Sequence, residues 1–504
     1  MACRSILRLG GFFVLPALCF LAASTANGQG TDLKPYRLEP KQPTGELLTK
    51  MNDLYSGKVR IKGPDIRGNQ AILKQFAQYA MYRVTFDSYY NLPESGELKP
   101  RTVDQNLDLL VSDLNSRLLI PTPERDLPRM NPEQTGYIIE YGAALDAAVA
   151  DIFAKNPPAI IRVNAARFLS IAAKSGAPAH GKTLTAMLNN TYFKDKAGKP
   201  LPTPPEVLIY AIHGAENFLA AYDVTALNSP LVTRHAFPDA ELVVLVKILD
   251  EMVLKGPPVA ALASVSSVDA SGRPTNLTPP PPMGGEAATT APAAPPATAT
   301  ALLPEQIAVV RYYRRAAIRA LAKIRYDVVG GKGVPEVRVG YTLAKVATND
   351  STLSLSTTPA DAAEAVIGLA NNALPSVYLN VDVWALALAQ GLGNMAAPRL
   401  AEDADVSLPW KQTAARVSAS FAQLRKNIAV TPRYRGYGKP LTDLLDLAIV
   451  DILSPLEKDT QAGVNRPSVE RLQLWITGNP PKDAAGSLFN DDAKYKFAPR
   501  RPGT

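Results

Sequence analysis

Residues 158–188, PAIIRVNAARFLSIAAKSGAPAHGKTLTAML, allow few folds. Ile161, Ala165, Phe168, Leu169 and Ala172 recur at helical spacing and form one apolar stripe, while Arg162, Asn164, Arg167 and Lys174 lie mostly off it. Lys174 suits the negative end of a helix, Gly176 takes the left-handed conformation that stops one, and Pro178 prevents its continuation. A second helix then starts. The stripe is too narrow to be buried alone, so the pair of helices needs a neighbouring pair to close its core.

An echo of the first helix lies far downstream. Arg162, Ala165, Arg167 and Leu169 recur in order and spacing as Arg314, Ala317, Arg319 and Leu321. A small Ala and an Arg inside an amphipathic helix, repeated in this way, resemble the HEAT/armadillo class of α-solenoid repeats. That resemblance implies a curved scaffold that binds other macromolecules and performs no chemistry. Alternating strand patterns are almost absent, and the repeat length is irregular. The expected fold is therefore all-α, an irregular helical-hairpin (HEAT-like) solenoid interrupted by a long disordered segment.

Six stretches follow from composition and periodicity. Residues 1–26 carry Arg4 and Arg8, then an apolar run broken by Pro16, then small residues, which is the pattern of a secretory signal peptide. Residues 27–68 are rich in Pro, Lys and polar side chains and read as extended. Residues 69–255 form an N-terminal helical region. Residues 256–303 contain no aromatic side chain and only the charges Asp269, Arg273 and Glu286, so they cannot bury a core. They read as a Pro/Ala/Thr-rich linker or as a loop inserted between neighbouring helices. Residues 304–478 form a C-terminal helical region, with helices expected at 305–328, 335–348, 359–374, 381–396, 409–428, 441–453 and 467–477. Residues 479–504 read as a flexible tail.

Export has chemical consequences. The two cysteines, Cys3 and Cys19, both leave with the signal peptide, so the mature chain has no thiolate chemistry and no disulfide. Three histidines are too few for a multi-histidine metal centre. Loss of Arg4 and Arg8 reduces a net charge of +8 by two, a mild excess that permits contact with anionic envelope polymers. No second long apolar run follows, so no membrane span is expected after cleavage, and the protein is expected in the periplasm or outside the cell.

Candidate chemistry is sparse. Gly176, Gly181, Lys182 and Thr183 match the phosphate-binding pattern G-x-x-x-x-G-K-[ST], with Asp250 and Glu251 ending an apolar run downstream where a magnesium-binding carboxylate is sought. Against a phosphate site, residues 162–174 have helical rather than strand periodicity, Lys247 interrupts the downstream run, and an exported protein ordinarily meets no ATP. His213 and Glu216 stand three apart and suit a metal, but no third ligand is visible. Glu402, Asp403 and Asp405 lack the ligand count and turn glycine of a calcium loop. No nucleophile lies beside a histidine in any local motif. No catalytic residue, cofactor or metal is therefore assigned.

Two basic features remain. Arg311, Arg315, Arg319 and Lys323 recur every four residues and form a ladder on one helix face. Aligned like charges repel unless acids lie opposite, either on the next helix or on an anionic partner, which makes this ladder the candidate interaction face. The string 433–439, RYRGYGK, interleaves cations and aromatics, but in an exported chain it reads as an interhelix loop and no nucleic-acid partner is expected. The reading is an exported scaffold binding a protein or an anionic envelope polymer. The alternatives are a nucleotide site at Gly176–Thr183 and a polysaccharide-binding surface using tyrosines such as Tyr89 and Tyr90.

Overall fold

Proline and glycine punctuate this chain, and the helices begin and end where they fall. The computed structural model describes residues 38, 43–62, 64–85, 103–118, 132–227, 238–256, 304–331, 334–372, 375–396, 410–458, 466–482 and 486–499. Within these, Pro178 and Pro359 each open a helix, where a missing N–H costs nothing. Ahead of Pro359, the Thr358 hydroxyl accepts the Asp361 N–H while the Asp361 carboxylate accepts the Thr358 N–H, a reciprocal cap. Gly176, at φ 70°, ends the helical segment before Pro178. The signal-peptide, Pro/Ala/Thr-rich and acidic-loop expectations, and Tyr89 and Tyr90, lie outside the described residues.

The helices, in chain order, are α1 Gly45–Tyr55, α2 Ile66–Tyr82, α3 Val103–Arg117, α4 Pro132–Ala154, α5 Ala159–Ala172, α6 Pro178–Leu188, α7 Pro205–Leu227 and α8 Asp239–Lys255. They continue as α9 Pro304–Leu321, α10 Val339–Ala347, α11 Pro359–Ala370, α12 Val381–Ala396 and α13 Trp410–Val430. The last are α14 Pro432–Arg435, α15 Gly438–Leu447, α16 Ser454–Lys458 and α17 Arg466–Gly478. They form two rows. Odd-numbered helices α3, α5, α7, α9, α11 and α13 pack one after another, and so do the even-numbered α2, α4, α6, α8, α10 and α12. The amphipathic faces close between the rows on a continuous core that includes Phe168, Phe218, Trp384 and Phe421. Among the described residues no helix is long and apolar enough to cross a membrane.

One contact recurs three times and sets the row spacing. Gly214 in α7, Gly368 in α11 and Gly391 in α12 each lie against the end of the helix two places earlier. A Cβ on them would sit 3.3, 2.9 and 3.5 Å from the Cα atoms of Ser170, Ala322 and Ala347 respectively. Three residues beyond each glycine is an asparagine whose Nδ2 donates to the carbonyl of that same residue: Asn217 to Ser170 at 2.8 Å, Asn371 to Ala322 at 3.4 Å, Asn394 to Ala347 at 2.7 Å. The carbonyls belong to the ends of α5, α9 and α10, where a helix has no N–H of its own to offer them. Glycine permits the approach and asparagine caps the earlier helix.

The structure corrects several expectations. Residues 45–55, read as extended, are α1, whose Met51 and Leu54 are buried and whose Tyr55 ring meets Tyr137 edge-on at 5.8 Å. The helix expected at 305–328 stops at Leu321, and the one expected at 335–348 begins only at Val339. Between them Val329–Gly331 (β3) pairs antiparallel with Val334–Val337 (β4), where β-branched residues flank glycines. A second small hairpin joins Phe193–Lys194 (β1) to Pro200–Leu201 (β2). Residues 486–499 are no loose tail. Leu488 and Phe489 are fully buried, the Asn380 N–H donates to Leu488 O at 2.8 Å, and Ser351 donates to Ala498 O at 2.7 Å. Three aromatics, Phe489, Tyr495 and Phe497, supply the buried area. Helices α8 and α9 pack directly on each other.

Candidate functional site

The basic ladder on α9 is largely neutralised within the chain. Arg315 Nε lies 3.1 Å from Asp361, Arg319 Nε 2.8 Å from Glu364, and Lys323 Nζ 3.4 Å from Glu216. These acids sit on the two odd helices that flank α9, namely α11 and α7. Arg311 has a buried Nε with no hydrogen-bond partner among the described residues. The charge that suggested an outside anion is thus spent on contacts between neighbouring helices of one row at three of four rungs. Burial alone would raise the Glu364 pKa, but Arg416 at 2.6 Å on α13 and Arg319 outweigh it and hold the carboxylate below its ordinary range. Glu216 is lowered in the same way, with His213 and Lys323 overcoming burial.

One ion pair with both partners fully buried was not legible as such. Arg314 is fully buried; it donates to Leu355 O at 2.7 Å, Ser356 O at 3.2 Å and the equally buried Asp361 at 3.1 Å. Its counterpart in the sequence echo, Arg162, makes two bonds to Glu206 Oε1, at 3.0 and 2.6 Å, and one to Pro157 O at 2.9 Å. Both acids lie in the first turn of the helix two places on. The signal for Asp361 was present locally, because Thr358-Pro-Ala-Asp361 is a capping-box pattern at a helix start.

Gly176–Thr183 does not form a loop that could wrap a phosphate. No strand precedes it; the short helical turn 173–175 does, and α6 runs through Gly181, Lys182 and Thr183. Gly181 is inside the helix, so its backbone is not turned outward. Lys182 Nζ lies 3.3 Å from Glu241, and Thr183 Oγ1 donates to Asp146 Oδ2 at 2.7 Å. Asp146 Oδ1 also lies 2.5 Å from His180 Nδ1, giving a buried Thr183–Asp146–His180 chain that ties α4 to α6, with His180 Nε2 left unpartnered beside Gly142. The downstream run containing Asp250 and Glu251 is α8, and Asp250 accepts a hydrogen bond from the Thr342 hydroxyl rather than facing Gly176. Burial pushes Asp250 up to about 6 despite that bond. His213 and Glu216 do approach, at 3.6 Å, but Glu216 is shared with Lys323 in the ladder.

The string 433–439 divides in two. Arg433 donates to Leu379 O, and Tyr434 is buried, stacked on Trp384 at 5.0 Å and bonded to Asn372 O at 2.6 Å. In the second half Arg435, Gly436 and Lys439 are exposed while Tyr437 is buried. Arg435, Gly436, Tyr437, Gly438 and Lys439 line an open cleft of about 400 Å³ whose far wall is Asp382, Gly478, Asn479 and Lys482. No family, curated protein or solved structure matches this chain.

Proposed function

We propose that the protein is an exported, non-catalytic helical-repeat scaffold of the HEAT/armadillo kind, holding a protein or an anionic polymer of the cell envelope. The observation that supports this reading most directly is the glycine–asparagine contact recurring on α7, α11 and α12 at one register. A stack built from one repeated contact grows by addition and presents an extended surface suited to another macromolecule. Export rests on residues 1–26 and their signal-peptide pattern.

The test uses the full chain in the cell that makes it, with a photo-reactive residue at Tyr312 on α9 or at Val244 on α8, both exposed. The expected result is a discrete macromolecular adduct in the envelope fraction from at least one row. Adducts confined to the cytoplasm, or none from either position, would count against the scaffold. A thermal shift with Mg-ATP that disappears in Lys182→Ala would instead favour nucleotide binding, because a ligand of the native state raises the midpoint by mass action.

A further inference from the structure

The cleft between α15 and the end of α17 has features that neither packing nor turn geometry requires. Gly436, Gly438 and Gly478 line it, and a Cβ at any of the three would meet nothing within 4 Å. None of the three has the positive φ that demands glycine. Gly438 opens α15 and Gly478 closes α17, positions where Ala would favour the helix. Three glycines thus leave bare backbone facing the cleft at a cost in stability. Of the three, Gly438 is the first residue of α15, so its N–H lies outside the helix ladder and, with no side chain in the way, is open to a ligand; Gly436 and Gly478 leave room beside it.

The side chains supply the charge. Arg435 bonds Ala429 O through Nε and Nη2, which fixes the guanidinium at the rim while its charge has no carboxylate partner among the described residues. Lys482 donates its backbone N–H to Asp382 Oδ2 at 3.2 Å, which anchors the segment and leaves its ammonium group unpaired among the described residues. Lys439 is shared with Asp443 at 2.6 Å. Tyr437 stays a neutral phenol at physiological pH, since burial and then Asp382 push it up to about 12. Among the described residues the lining therefore carries three cations, one of them already paired with Asp443, against one carboxylate. Its volume lies in the range of small-molecule sites, roughly 300–1,000 Å³, larger than a bare oxyanion needs.

We propose that this cleft is a binding site for a phosphoryl oxyanion carried on a small organic body, with Arg435 and Lys482 as its charged contacts and the Gly438 N–H, at the start of α15, as its main-chain contact. Arg presents a planar fork matched to phosphate oxygens, and Lys a mobile point charge. Calorimetric titration of the full chain with glucose 6-phosphate, inorganic phosphate and glucose tests it. Binding of glucose 6-phosphate that weakens with salt, with no binding of glucose, is the expected result. Tighter binding of the ester than of inorganic phosphate identifies the organic phosphate as the ligand. Equal binding assigns the same oxyanion site to free phosphate.

Lys482→Gln should weaken affinity about tenfold, the loss of one charge-assisted bond. Gly438→Ala should weaken it while keeping or raising the melting temperature, an outcome that damage to the fold cannot produce. Binding of neither phosphate, or binding unchanged in both variants, would overturn the proposal.

Discussion

Gly368→Ala puts the row-spacing contact to its sharpest test. A methyl group at 368 would lie 2.8 Å from Leu343 Cδ1 and 2.9 Å from both Cα and Cβ of Ala322. Carbon atoms rest at about 3.5–4.0 Å, so α11 must retreat from α9 by roughly 0.6–1 Å. Leu343 can turn aside, but the Ala322 backbone cannot. Overpacking of this kind costs about 1–3 kcal/mol. The Asn371–Ala322 bond, already 3.4 Å, would open, at about 0.5–1.5 kcal/mol. Better helix propensity returns about 1 kcal/mol. The expected net loss is about 2 kcal/mol, the sum of those estimates.

The control is Gly393→Ala. Its nearest neighbours are Leu472 Cδ2 at 3.8 Å and Gln473 Nε2 at 3.9 Å, ordinary contact distances. That variant should be neutral or more stable by up to about 1 kcal/mol. Guanidinium unfolding followed by circular dichroism, with hydrogen exchange across residues 339–396, reads both. If Gly368→Ala matches or exceeds the wild type, or if the two variants move together, the glycine contact does not set the row.

Arg314→Ala should cost about 3–5 kcal/mol because it removes the fully buried partner of Asp361 and of the Leu355 and Ser356 carbonyls, whereas Arg315→Ala on the same carboxylate, partly exposed, should cost about 1 kcal/mol or less; paired denaturation curves separate them. Phe489→Ala should cost about 3–5 kcal/mol, because its buried ring carries the Arg338 guanidinium at 4.5 Å and packs against Tyr495; a loose tail would lose nothing, and a melting curve decides. Asp250 makes stability pH-dependent. Its folded pKa of about 6 lies above the ordinary 3.8, so the native state binds the proton more tightly. Its contribution is full below about pH 4 and lost as pH rises through about 6, on the order of 2–3 kcal/mol. Asp250→Asn should flatten that slope in chemical denaturation across the window, and an unchanged slope would remove Asp250 as its source.

Helices were legible where an apolar stripe and a punctuating residue coincided. The expectation of 381–396 matches α12, because Trp384, Leu388, Leu392 and Met395 lie on one face. Residues 45–55 were hidden by their Pro- and Lys-rich flanks, although Leu47, Met51 and Leu54 keep helical spacing. The ladder Arg311, Arg315, Arg319 and Lys323 was visible as charge. Its partners were not, because Glu216, Asp361 and Glu364 lie on other helices and only row packing brings them near. The cleft at Arg435–Lys439 was equally hidden, since its far wall comes from Asp382 and from 478–482. Its glycines look like turn residues until the structure shows that no turn needs them.

The two repeat signals, one visible in the sequence and one not, share a register. Arg162 precedes Ser170 by the same interval at which Arg314 precedes Ala322, and those are the residues whose carbonyls Asn217 and Asn371 cap. The arginine clasps an acid at the start of the helix two places on, and the asparagine caps the carbonyl beside it. Each helix is thereby fixed at both ends of one interface. A negative charge in a first turn also suits the helix dipole, so Glu206 and Asp361 are favourable there before any arginine arrives. The second rung departs for a reason the same register supplies. Counting four back from the glycine gives Glu364 in α11, which binds Arg319, but Tyr210 in α7, so Arg167 has no carboxylate at that place. The helices on either side of residues 257–303 keep their places in the two rows, as expected when the register is set by contacts between helices and not by distance along the chain.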